Sequence, residues 1–87
     1  MPRFFIESPH TAENCTMVLK EIHSKGYLHH FDWGCAFGEH CGWAVMEAEN
    51  EEQARMVVPS IVRSQAKVTQ VSKFSVDDAE RLHAIDK

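Results

Sequence analysis

An α+β fold with a four-stranded antiparallel sheet is what the sequence predicts, and three observations lead to it. Six short segments with strand or helix periodicity follow one another in the order β-α-β-β-α-β. A capping pattern opens one further helix at the C-terminus. The chain has 87 residues, of which 44% are apolar, 25% charged and 9% aromatic, the balance of one ordinary globular domain spanning residues 1–87.

Each element has a local reason. Arg3 to Ser8 is an apolar run closed by Pro9 and reads as a strand. Thr11 suits an N-cap, with Glu13 in the first turn. Cys15, Val18, Leu19 and Ile22 then fall at i, i+3, i+4 and i+7, one stripe of an amphipathic helix that Gly26 would close. Tyr27 to Cys35 reads as a second strand, Ala36 to His40 as a loop around Gly38, and Cys41 to Glu49 as a third strand. Asn50 opens a second helix with Gln53 as its capping partner, and Ala54, Val57, Val58 and Ile61 form its stripe. Pro59 should kink or restart that helix. Gln65 to Phe74 reads as a fourth strand, and Ser75 with Asp78 caps a helix over Val76 to Ile85. This order is the ferredoxin-like βαββαβ arrangement, with both main helices on one face and strand three between strands one and two.

A sheet covered by helices on one face should alternate to polar on the other. Phe4, Phe5 and Ile6 are instead consecutive, as are Ala44, Val45 and Met46, so both faces are expected to be partly buried. A second copy of the chain is the simplest cover. In element order and burial the whole chain resembles the dimeric α+β barrel superfamily, in which two ferredoxin-like protomers pack sheet to sheet. That resemblance implies a homodimer. It also brings in the superfamily's range of functions: haem-degrading monooxygenases, muconolactone isomerases and small nickel-binding proteins.

Charge and composition exclude other classes. The formal net charge of −4 disfavours nucleic acid and anionic membrane surfaces as partners. No apolar run approaches the roughly 20 residues needed to span a bilayer. Met1-Pro2-Arg3-Phe4-Phe5 has no signal-peptide apolar region, so the cytoplasm, with three reduced Cys, is the expected location.

The unusual feature is the count of Cys and His, three and six. Trp33-Gly34-Cys35 runs into the Gly38 loop and Cys41-Gly42-Trp43 runs out of it. A symmetric hairpin would set Cys35 against Cys41, Gly34 against Gly42 and Trp33 against Trp43. Two adjacent thiolates suit Zn, Ni or Cu(I). The Gly pair with Trp33 and Trp43 would leave a bare, aromatic-walled ligand pocket. The topology also brings His10, at the end of strand one, and Cys15, at the start of the first helix, toward His40 and Cys41. The candidate ligands are therefore Cys35, Cys41, His10, His40 and Cys15. His40 and Cys41 are adjacent, so both can serve one ion only if His40 belongs to the loop.

Packing explains the same residues differently. The thiols can fill space as small hydrophobes, Cys15 can be core on its stripe, and the Trp pair can stabilise the sheet. An enzyme of the same fold, monooxygenase-like or isomerase-like, would use His30 and Asp32, which share a strand face with Gly34, as acid and base. Pro2, if exposed by removal of Met1, is also the type of base that tautomerases with an N-terminal proline employ. A structural or interaction domain without any ligand completes the alternatives.

Overall fold

The computed structural model describes residues 1–85, and the side chains of residues 1–82. Strands β1 (Arg3–Pro9), β2 (Asp32–Trp33), β3 (Cys41–Glu47) and β4 (Lys67–Val71) form one sheet in the order β2-β3-β1-β4. Every neighbouring pair is antiparallel. Strand three lies between strands one and two, as the element order predicts. The helices are α1 (Cys15–Ser24), α2 (Glu51–Arg55), α3 (Ser60–Arg63) and α4 (Val76–Ile85). None of them is long and apolar enough to cross a membrane.

The core lies on one face of the sheet. Phe4, Ile6, Ala44 and Val68 alternate inward along their strands and meet Val18 and Ile22 of α1, Ala54 of α2 and Val62 of α3. The stripe of α1 is thus buried as its periodicity predicts. Its C-terminus closes as expected: Gly26 takes φ +84°, and the N–H of Tyr27 bonds Ile22 O at 3.1 Å.

Four boundaries differ from the sequence reading. Thr11 caps a turn that precedes α1: its Oγ1 accepts the N–H of Asn14, which itself stands at the N-cap, so Glu13 lies before the first turn. The strand expected over Tyr27 to Cys35 is reduced to Asp32–Trp33 between two 3₁₀ turns, Leu28–His30 and Cys35–Phe37. The third strand ends at Glu47 and the fourth spans only Lys67–Val71. As the sequence predicts, the second helix is interrupted at Pro59, which has no N–H to continue the ladder and leads straight into α3. The restart resets the helical phase, so Val62 is buried where the uninterrupted stripe placed Ile61, which is 50% exposed. Two arginines satisfy carbonyls on either side of α3: Arg63 Nε donates to Val58 O at the break, and Arg55 Nη1 donates to Ala66 O beyond the helix at 2.6 Å.

Both predicted capping pairs form. The Asn50 side chain accepts the Gln53 N–H at 2.8 Å. Ser75 Oγ accepts the Asp78 N–H while Asp78 Oδ2 accepts the Ser75 N–H. Beyond that cap, among the described residues of α4, Val76 and Leu82 are exposed. The other sheet face carries Phe5, Glu7, Trp43 and Val71 half-buried and Val45 exposed.

In the core of the sheet one buried hydroxyl has no compensation. Ser8 is fully buried, yet its hydroxyl has no hydrogen-bond partner. An unpaired buried hydroxyl costs more than the bond it fails to make, so Ser8→Ala should stabilise the protein by about 1 kcal/mol. The urea midpoint should therefore rise at an unchanged slope.

Candidate metal centre

Four side chains converge at the end of the sheet where β1 leaves it. Ser8 and His10 continue the inward parity of β1, so the His10 ring enters the core face and is 7% exposed. The His10 N–H donates to His40 O at 2.9 Å, which carries the β1–β3 ladder one residue past Pro9↔Cys41 and sets the two histidines side by side. The Thr11–Asn14 turn then folds the chain back, and Cys15 begins α1 on the stripe that faces the core.

The Gly38 loop supplies the other two groups. Gly34 O accepts both Phe37 N–H and Glu39 N–H, and Gly38 closes the turn at φ +89°, a conformation costly for other residues. This curl keeps His40 out of the strand and turns it, with Cys35, toward His10.

One donor atom from each of His10, Cys15, Cys35 and His40 lies within 4.8 Å of all the others. Cys35 Sγ and His10 Nε2 are 3.4 Å apart. In a tetrahedral zinc site, metal–sulfur and metal–nitrogen bonds of about 2.3 and 2.05 Å place neighbouring S and N atoms roughly 3.5 Å apart. That edge is already formed, and the remaining donors need only a modest contraction. His10 Nδ1 and His40 Nδ1 are buried without hydrogen-bond partners, so neither ring has both of its nitrogens satisfied by a nitrogen or oxygen group of the chain. The donor set, two imidazoles and two thiols, fits a transition metal.

Burial sets the protonation states. It pushes the His10 imidazole below its ordinary pKa, with a further downward push from His40 and an opposing one from the Ser8 backbone. It raises the Cys35 thiol, as does the neighbouring Cys15 thiol, and it raises Cys41. Unfolding exposes a His10 that takes a proton more readily than the folded protein does. Stability of the metal-free chain is thus lost as pH falls below about 6.5. Unfolded Cys35 and Cys41 ionise more readily than folded ones, so stability is also lost as pH rises above about 8.5. The thermal midpoint of the metal-free protein should be highest between these limits, and His10→Gln should flatten the acid side.

The remaining candidates are placed differently. Cys41 pairs with Pro9 in the ladder and shares its parity with Trp43, so alternation turns it to the opposite face; its Sγ lies 3.7 Å from Gly42 O. It is not among the converging donors. The symmetric hairpin does not form. The register is Asp32↔Trp43 and Trp33↔Gly42, one residue away from the expected pairing of like with like. The glycines make room for the protein's own groups rather than for a bare patch. A Cβ on Gly42 would meet the Trp33 ring at 2.6 Å, and one on Gly34 would meet Glu39 O at 2.7 Å. Trp33 stacks on Phe31 with centroids 5.3 Å apart and donates from Nε1 to Leu28 O. Of the four expected pocket residues, Trp33 lines a groove of about 510 Å³ with Leu19, Leu28, Phe31 and Cys35, while Gly34, Gly42 and Trp43 do not. Leu28 and Phe31 were not singled out by periodicity; the i, i+2 spacing of Phe31 and Trp33 was the available signal.

His30 and Asp32 do not lie on one strand, because the segment that precedes Asp32 is a 3₁₀ turn. His30 ends a 3₁₀ turn and borders a cleft of about 670 Å³ with Tyr27, Met46 and Met56. Asp32 is exposed opposite Trp43.

No protein-family profile matches the chain, and neither a curated protein nor a solved structure matches it significantly.

Proposed function

We propose that this chain is a small metal-binding protein that holds one transition-metal ion, Zn²⁺ foremost, through His10, Cys15, Cys35 and His40. The observation that carries this reading is the mutual approach of four donor atoms within 4.8 Å, drawn from three separate stretches of chain. Two thiolates and two imidazoles make a complete tetrahedral shell. Such a shell leaves no position open to substrate, which favours holding an ion over catalysis on it. Ni²⁺ and copper are the competing ions for the same donors.

The working unit of the proposal is a homodimer of ferredoxin-like protomers in the manner of a dimeric α+β barrel. The strand order β2-β3-β1-β4 supports the protomer fold. The open sheet face supports the dimer: Phe5 stands opposite Val45, flanked by the opposite-charge register pairs Arg3↔Glu47 and Glu7↔Lys67, a surface on which a second copy finds both apolar area and complementary charge. Three free thiols favour a reducing compartment, the cytoplasm.

The test is elemental mass spectrometry of untagged protein purified under reducing conditions, with the solution mass measured on the same sample. About one metal ion per chain at twice the chain mass is expected, and Val45→Asp should return the mass to that of one chain with the metal retained. A protein that remains metal-free with added Zn²⁺, Ni²⁺ and Cu⁺ would falsify the metal reading.

A further inference from the structure

We infer that the metal centre is redox-gated: hydrogen peroxide joins Cys15 to Cys35 in a disulfide, and the ion is released. This regulation rests on the metal reading above. The two thiols lie far apart in sequence but belong to one cluster, with sulfur atoms no more than 4.8 Å apart. A disulfide needs about 2.05 Å, so the sulfurs must close by less than 3 Å between them. Both sit where backbone can give. Cys15 is the first residue of α1, whose N-cap Asn14 makes no side-chain cap bond, and Cys35 opens a three-residue 3₁₀ turn. The third thiol, Cys41, faces the other side of the sheet and is outside the cluster. It therefore serves as an internal control.

The geometry also orders the steps. Cys35 lines the groove floored by Leu28, Phe31 and Trp33 and bordered by the exposed Ala36, so a small oxidant reaches it from solvent. Its thiolate attacks one peroxide oxygen, the O–O bond breaks, and a sulfenic acid and a hydroxide form. The Cys15 thiolate then attacks the Cys35 sulfur and displaces the second hydroxide. Two protons from solvent convert both hydroxides to water. The two sulfurs lose two electrons and the peroxide gains them. The ion keeps only the His10 and His40 imidazoles, half of its donors, and dissociates.

The experiment treats zinc-loaded protein with hydrogen peroxide and follows release with a chromogenic chelator. Thiol counting and peptide mass spectrometry are run on the same samples. Loss of about one ion per chain together with two of the three thiols, a Cys15–Cys35 linked peptide, and recovery of both with dithiothreitol are expected. Cys41→Ser should respond as the parent does. Metal release without that linked peptide, or a crosslink through Cys41, would overturn the proposal. A parallel arm oxidises metal-free protein with diamide. If the chain takes up no metal yet still forms the Cys15–Cys35 bond, the metal reading alone fails and the thiol switch stands. If neither metal uptake nor the bond is seen, both fail.

Discussion

Replacing Cys15 and Cys35 together by Ser is expected to empty the metal centre and to lower the thermal midpoint of the zinc-loaded protein by roughly 15–30 °C. The size follows from linkage. An ion that binds only the folded chain, at a free concentration about 1,000 times its Kd, contributes about 4 kcal/mol, and for a domain of this length each kcal/mol moves the midpoint by about 4–8 °C. Without metal, the same double variant should differ little from the parent, because Ser conserves volume and both sites are only half-buried. Cys41→Ser should keep one ion per chain and change stability by no more than about 0.5 kcal/mol. The comparison is decisive because the hairpin sequence alone pairs Cys35 with Cys41. Metal lost with Cys41→Ser and retained with Cys15→Ser would return the site to the hairpin mouth. Melting curves with and without a chelator, read beside elemental analysis, distinguish the two arrangements.

Gly42→Ala should be strongly damaging for a single added methyl near the site. The added Cβ would stand 2.6 Å from one Trp33 ring carbon and 2.8 Å from another. Trp33 cannot swing aside freely, since its ring stacks on the buried Phe31 and its Nε1 is bonded to Leu28 O. Overpacking of this kind costs about 1–3 kcal/mol. The damage should also reach the metal centre. Trp33 lies 6.3 Å from the His10 ring, and Cys35 is only two residues further along the chain. Chemical denaturation should show a lower midpoint, and a competitive zinc titration should show weaker binding in the same variant. A Gly42→Ala protein of parent stability would mean that Trp33 does not occupy the glycine's face in solution.

Much of this architecture can be read residue by residue. The stripe of Cys15, Val18 and Ile22 predicts which side of α1 is buried, because a 3.6-residue period leaves one face apolar. The Ser75–Asp78 and Asn50–Gln53 pairs predict helix starts, because their side chains satisfy N–H groups within one turn. Pro59 predicts a break. All of these depend on chemistry within a few residues. The register of β2 was not legible in the same way. The near-palindrome around Gly38 favours like against like, yet the observed ladder sets Trp33 on Gly42. A ring needs the space that a missing side chain leaves, and only the packed structure shows which ring takes it. The length of β2 was hidden for a related reason. Tyr27 to Cys35 has strand composition, but the Leu28 carbonyl is used by the N–H of Phe31 and by the Trp33 indole, which holds the segment in a turn.

The candidate site divides along the same line. By itself the sequence determined the donors on offer, an excess of His and Cys, and the element order that carries His10 and Cys15 to the same end of the sheet as Cys35 and His40. Tertiary structure decided which of them meet. Strand parity sends Cys41 to the opposite face, while the Gly38 turn releases His40 from that parity and turns it inward beside His10. The physical reason is one of range. Periodicity and capping are set by neighbours along the chain, whereas a four-donor cluster depends on register and loop curvature, which are chosen by packing among residues remote in sequence.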